Sequence, residues 1–139
     1  MSVVLDCSVA VNWILPDEDS PAVDRLLEKV AADGAVVPAL FAIEVGNALL
    51  LAVRRGRITA ETRSEAFDMI GALPLQTDRH GSDHVWSTSV DLATAHGLSL
   101  YDATYLELAK RMRLPLATLD ARLAEAAKKE GIAFPWEDA

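Results

Sequence analysis

The chain has 139 residues, the length of one compact domain, and 51% of them are apolar, enough for a core of its own. A net charge of −8 argues against tight non-specific binding to nucleic acid, which relies on Lys and Arg. A lone cysteine, Cys7, excludes an internal disulfide and a Cys-rich zinc site. No apolar run is long enough to span a membrane, and the start Met1–Asp6 has no basic region of a secretory signal. The expectation is a single domain over residues 1–139 in the cytoplasm.

Short apolar runs alternate with amphipathic stretches, the pattern of an α/β fold. Val3-Val4-Leu5 reads as a buried strand ending at Asp6. Ser8 is placed to cap a short helix through Trp13 and Ile14, which Pro16 stops. Asp19-Ser20-Pro21 opens a second helix, with Val23, Leu26, Leu27 and Val30 on one face and its end near Gly34. Ala35-Val36-Val37 is a second strand. Pro38-Ala39 then leads into a long helix through Phe41, Val45, Ala48, Leu49 and Ala52. Thr59 caps the next helix, which runs through Phe67 and Ile70. Leu73-Pro74-Leu75-Gln76 is a short third strand, and Ser82 or Asp83 starts a helix ending at His96-Gly97. A further helix follows Ser99-Leu100-Tyr101 and runs to Arg113. Leu116-Ala117-Thr118 is a strand, Asp120 precedes a last helix to Gly131, and Ile132-Ala133-Phe134 is a candidate final strand before the tail Pro135–Ala139. Such a chain forms a parallel sheet with helices on both faces.

In an open sheet of this kind ligands collect beyond the C-terminal strand ends. Asp6 follows the first strand and Asp120 lies two residues past the Leu116–Thr118 strand, so both belong to that rim. Glu44 sits in the first turns of the long helix, and Asp102 in the first turn of the helix leading back to the sheet. Glu44 and Asp102 are also set in apolar surroundings with no basic residue within a helical turn, a costly position unless a cation is bound. Each acid alone has a plainer explanation: helix dipole, turn or N-cap. Four on one rim point to oxygen-only ligation of Mg²⁺ or Mn²⁺, and to hydrolysis of a phosphodiester by metal-activated water. Ser8 and Thr118 are placed to hold a water or ligand with their hydroxyls, although helix capping is the plainer role for Ser8. Asn47, three residues after Glu44, is placed to orient that carboxylate or to contact backbone.

The segments Val4-Leu5-Asp6-Cys7-Ser8-Val9, Glu44-Val45-Gly46-Asn47-Ala48-Leu49, Leu100-Tyr101-Asp102-Ala103-Thr104-Tyr105 and Ala117-Thr118-Leu119-Asp120, in this order and spacing, resemble the PIN domain in its VapC-type toxin branch. The resemblance covers nearly the whole chain. It implies a five-stranded parallel sheet in an α/β/α sandwich and a Mg²⁺- or Mn²⁺-dependent endoribonuclease, the toxin of a type II toxin–antitoxin system. A cognate VapB-type antitoxin, an RNA substrate and a homodimer are implied with it. By position, Asp6, Glu44, Asp102 and Asp120 become the catalytic, metal-holding set, Asp6 and Asp102 the firmest ligands, and Thr118 the hydroxyl of the family's Thr-x-Asp motif.

Other features carry weaker signals. Arg54-Arg55-Gly56-Arg57, Lys110-Arg111-Met112-Arg113 and Lys128-Lys129 read as basic helix ends suited to the dipole, with RNA contact as the alternative. His80, His84 and His96 show no metal spacing with the acids and read as surface or capping residues. Cys7 reads as a small packed residue. Trp13 reads as core, with base stacking as the alternative, and Trp86 and Trp136 as packing or interface residues. The Pro38–Arg54 helix is apolar over much of its circumference, which means either deep burial or a partner groove. Competing functions are a PIN nuclease without toxin behaviour and a non-catalytic partner-binding domain. A phosphoacceptor domain lacks its lysine at the last strand, and a phosphatase lacks the second acid of Asp-x-Asp, since this chain reads Asp6-Cys7-Ser8.

Overall fold

The structure is a computed structural model that describes residues 2–15 and 20–138. The helix stop expected at Pro16, the opening role of Asp19 and the end of the tail at Ala139 lie outside the described residues.

Strand β1 (Val4–Leu5) is followed by α1 (Cys7–Ile14), α2 (Pro21–Asp33), β2 (Ala35–Val37), α3 (Leu40–Arg54), α4 (Ala60–Gly71) and β3 (Leu75–Thr77). Short 3-10 and π segments (Gly81–His84 and Val85–Ser89) run into α5 (Val90–His96). Then come α6 (Leu100–Met112), β4 (Leu116–Ala117) and α7 (Ala121–Lys129), with a closing 3-10 turn at Trp136–Asp138. All strand pairs are parallel and the order is β3-β2-β1-β4. The chain adds strands outward from β1 to β3, then returns to place β4 on the other side of β1. Strand order therefore reverses between β1 and β4, and a crevice at their C-terminal ends is the place for a ligand.

Most elements follow the sequence reading. Ser20, Thr59 and Ser99 cap α2, α4 and α6 by accepting from the N–H groups of Val23, Thr62 and Asp102. Gly34 takes φ +82°, and a Cβ there would lie 2.7 Å from the Pro74 carbonyl oxygen, so only glycine lets β2 start beside β3. Strands β1, β2 and β4 are buried on both faces, as a parallel sheet covered by helices requires.

Four strands, not five, form the sheet among the described residues. The expected fifth, Ile132–Phe134, makes a single parallel bridge from Ala133 to Leu116. Ile132 accepts from the Leu116 N–H at 2.8 Å and Phe134 donates to the Leu116 carbonyl at 3.2 Å. Pro135 then has no N–H to continue the ladder, and the chain turns into the closing 3-10 segment. Three smaller expectations also shift. Strand β3 starts at Leu75, after Pro74, rather than at Leu73. Asp6, not Ser8, occupies the cap position of α1. The helix expected from Ser82 or Asp83 to His96 is a 3-10, π and α composite.

An ion cluster pins the end of β3 to α6. Arg111 donates to both carboxylate oxygens of Asp78, at 3.1 and 2.8 Å, and to both of Glu107, at 2.8 and 3.0 Å. The side chains of Asp78 and Glu107 are only 7% and 3% exposed, so neither finds much solvent in place of Arg111. A second cluster joins three helix ends: His96 of α5 and Lys110 of α6 contact the two oxygens of Glu130, at 2.7 and 2.6 Å. His96 is therefore a half-hidden tie rather than a surface residue.

Arg111→Ala leaves two buried carboxylates without their cation, and the expected loss of unfolding free energy is about 3–5 kcal/mol, read from urea titrations at neutral pH. Arginine holds the Asp78 carboxyl below its ordinary value of 3.8. The stability it contributes is thus present above pH ~4 and lost as pH falls through the depressed value, so the gap between wild type and variant narrows in acid.

Candidate active site

Asp6 sits where β1 ends and α1 begins, and its backbone N–H donates to the Ala117 carbonyl of β4 at 3.0 Å. Its side chain is 5% exposed. The hydroxyls of Ser8 and Thr118 reach its Oδ2 at 2.5 and 2.8 Å. Each hydroxyl has one proton, and backbone donors settle where it goes. The Leu119 N–H donates to Ser8 Oγ at 3.0 Å and the Asp120 N–H donates to Thr118 Oγ1 at 3.0 Å. Both hydroxyls therefore accept from the β4–α7 connection and give their protons to the same oxygen of Asp6. With Thr118, Ser8 holds a buried carboxylate and ties it to the loop carrying Asp120, while Asp6 takes the cap position of α1.

Glu44 projects from α3, half-buried, and its Oε1 accepts from the Tyr105 hydroxyl at 2.6 Å. Tyr105 is wholly buried on α6, one turn beyond Asp102. The sequence reading offered Asn47 for this support. Asn47 is solvent-exposed, and among the described residues no hydrogen bond joins it to Glu44. Tyr105 was visible in the resembling motif, but a tyrosine among apolar helix residues reads as core until its partner across the sheet is known. Asp102 is half-buried in the first turn of α6. Asp120 is exposed and caps α7, its Oδ1 accepting from the Leu123 N–H at 2.9 Å. The capping role and the rim position of Asp120 therefore coexist.

The charges of the other acids converge on Asp102. Burial raises Asp102 to about 6, and the charges of Asp120, Asp6 and Glu44 add to it. Burial likewise raises Asp6, against the hydrogen bonds from Ser8 and Thr118. It raises Glu44 too, with Asp6 adding repulsion and the Tyr105 hydroxyl opposing it. No basic side chain is among the causes acting on these three. Among the described residues, no three His, Cys, Asp or Glu side chains stand close enough to share a metal ion in this conformation. The donor set is nevertheless the one a hard divalent cation takes: carboxylate oxygens, several of them desolvated, with unbalanced negative charge. Cys7 lies at the same corner. Burial and the charges of Asp6, Glu44 and Asp102 push its thiol up to about 12.

The remaining candidates fall elsewhere. Trp13 packs on the core and donates its indole N–H to the Val23 carbonyl at 3.0 Å, so it is not free to stack on a base. Trp136 packs edge-on against Phe134, and Trp86 is 93% exposed. The three basic clusters sit at the C-terminal ends of α3, α6 and α7, whereas Glu44, Asp102 and Asp120 sit at the N-terminal ends of the same helices. Basic and acidic groups are thus drawn to opposite helix poles, as the dipole favours.

The model of the PIN domain matches residues 3–129. Ribonuclease VapC3 of Pyrobaculum aerophilum is 30% identical over 125 residues, covering 90% of this chain and 94% of its own. Ribonuclease VapC1 of Mycobacterium tuberculosis is 33% identical over 123 residues, covering 88% of this chain and 89% of its own. Among solved structures, PAE2754 from Pyrobaculum aerophilum superposes with a TM-score of 0.67 at 21% identity, over 91% of this chain and 79% of that one. FitAcB from Neisseria gonorrhoeae gives 0.65 at 18% identity, over 98% and 99%. At those identities the two structures speak for the fold alone.

In metal-free protein, protonated Asp102 favours the folded state, because its folded pKa lies above its ordinary 3.8. Its contribution is complete below that value and lost as pH rises through about 6. Asp102→Asn should therefore gain stability relative to wild type between pH ~4 and ~7 in EDTA. Melting curves that stay parallel across that range would remove Asp102 from the repulsive cluster.

Proposed function

This chain belongs to the PIN-domain family, and we propose that it is a divalent-metal-dependent endoribonuclease, the toxin of a type II toxin–antitoxin pair acting in the cytoplasm. The observation that carries this reading is a set of three carboxylates on one rim, Asp6, Glu44 and Asp102, each raised by burial with no basic side chain acting on it. Two relatives that align over nearly their whole length carry the name ribonuclease. Such a cluster costs stability in an empty protein and gains it when an ion arrives, which is the signature of a site kept for binding rather than for folding.

Asp6, Glu44, Asp102 and Asp120 would hold Mg²⁺ or Mn²⁺, which when bound lowers the pKa of water and offsets charge on a phosphoryl oxygen. The protein's part is positional. Ser8 and Thr118 hold Asp6 at the β1–β4 crevice by two hydroxyl protons on one oxygen, which opposes the effect of burial on that carboxyl. Tyr105 sets the direction of Glu44 from the neighbouring helix. Asp120, exposed on the last helix cap, is the acid nearest solvent, where a substrate phosphodiester approaches. A raised Asp102 is suited to trade protons with water near neutral pH when no ion holds it.

Protein partners, an antitoxin and a second copy of the chain, have apolar surface to meet. Ile43 and Leu50 face solvent from α3 at 72% and 36% exposure, and Phe67 of α4 at 43%. An apolar face left open on an otherwise core-facing helix is what a partner surface looks like.

Purified protein should cut single-stranded RNA internally in Mn²⁺, with cutting abolished by EDTA and reduced by at least roughly 100-fold in Asp6→Ala. Cleavage that survives both would sink the mechanism. On induction in cells the chain should arrest growth, and co-expression of a neighbouring small antitoxin should relieve that arrest. Growth unaffected by induction of the active enzyme would leave a nuclease without toxin behaviour.

A further inference from the structure

We propose that the cavity at the β2–β3 end of the same rim binds an unpaired nucleobase of the RNA, beside the phosphodiester presented to the carboxylates. The inference rests on the hydrolytic reading above and adds where the substrate is gripped. The cavity has a volume of about 580 Å³, in the range of small-molecule sites. Its walls include Pro38, Leu40, Arg79, Leu100, Tyr101 and Thr104.

Placement is the first argument. Leu40 lies one helical turn before Glu44 on the same side of α3, and Leu100 and Tyr101 immediately precede Asp102 on α6. The two helices that carry half of the acidic set thus also build the cavity. Along the rim, strand order β3-β2-β1-β4 puts the cavity about two strand spacings, roughly 10 Å, from the β1–β4 crevice. That is within reach of a nucleotide flanking the cleaved bond.

Chemistry is the second. The Tyr101 ring is 64% exposed and the Arg79 guanidinium stands at the same wall, two groups on which a base stacks. Most of the remaining lining is apolar, with the hydroxyls of Thr77, Ser82 and Thr104 as the sparse polar contacts a base edge needs. The Thr104 hydroxyl donates to the Leu100 carbonyl at 2.9 Å, which leaves it an acceptor towards the cavity.

Charge is the third. The carboxylate in the lining, Asp78, is held on both oxygens by Arg111, which it shares with Glu107, and Arg79 in the lining supplies the second positive charge. Unlike the acid cluster, this stretch of the rim does not repel a polyanion. A chain with net charge −8 must find affinity for RNA by means other than blanketing phosphates, and stacking of a base supplies it without added positive charge.

The test uses a set of labelled single-stranded RNA oligonucleotides, identical except for one abasic nucleotide moved along the strand. Binding is followed by fluorescence anisotropy in an Asp6→Asn background that does not cut. At one position, loss of the base should weaken binding roughly tenfold, and Tyr101→Ala should erase that position's effect. Equal binding of every oligonucleotide, no binding of any, or the same positional loss in Tyr101→Ala overturns the inference. A change in oligomeric state on Tyr101→Ala, seen by sedimentation with RNA discrimination intact, assigns the cavity to a protein contact and likewise overturns it. Cleavage by the unmodified protein in Mn²⁺ is followed in parallel. Base-dependent binding without cleavage sinks the hydrolytic reading and keeps the cavity, whereas cleavage indifferent to base loss does the reverse.

Discussion

The burial of one ionisable group, Asp6, sets the terms for the rest of the rim. A carboxylate 5% exposed survives as an anion only if its environment replaces water. Here two hydroxyls do so, one from α1 and one from the end of β4. Their protons point inward because the Leu119 and Asp120 N–H groups occupy their lone pairs. The same four hydrogen bonds close the crevice between β1 and β4, define the turn into α7 and leave Asp120 facing out. Fold and site are not separable at this corner: removing a hydroxyl here would loosen a strand end as well as a carboxylate.

The sheet then divides its C-terminal edge by chemistry. At the β1–β4 end, acids gather without cations. At the β2–β3 end, the acid that lines the edge is paired with Arg111, and apolar and aromatic side chains take over. The helices enforce the division. Asp102 stands in the first turn of α6, where the dipole partly offsets the cost of a desolvated acid, and basic groups collect at the far poles of α3 and α6. The acids of the candidate site are thereby confined to one half of one edge, while the net charge of −8 also draws on acids elsewhere in the chain.

Much of this could be read from the residues, and the failures have physical causes. The parallel order, the caps at Ser20, Thr59 and Ser99 and the rim position of Asp6 and Asp120 follow from local rules, because turn chemistry and strand length are written in adjacent residues. The fifth strand was overcalled, since apolar alternation at Ile132–Phe134 is the same whether the chain makes one bridge or a ladder, and Pro135 decides the matter. The supports of the acids are harder to read for a different reason. Thr118 reaches Asp6 across 112 positions and Tyr105 reaches Glu44 across 61, while Ser8 joins Asp6, two residues away, to Leu119 at a separation of 111, and spacing rules see only the near partners. Asn47 looked right by helical spacing alone, yet the rotation of α3 turns it to solvent.

Cys7, beside the acids, shows what such a corner does to a bystander. The thiolate is the form that oxidants and disulfides attack, and a thiol pushed up to about 12 supplies almost none of it. Burial first, and with it the charges that prepare the crevice for a cation, therefore shield the chain's lone sulfhydryl from sulfenic acid formation and mixed disulfides.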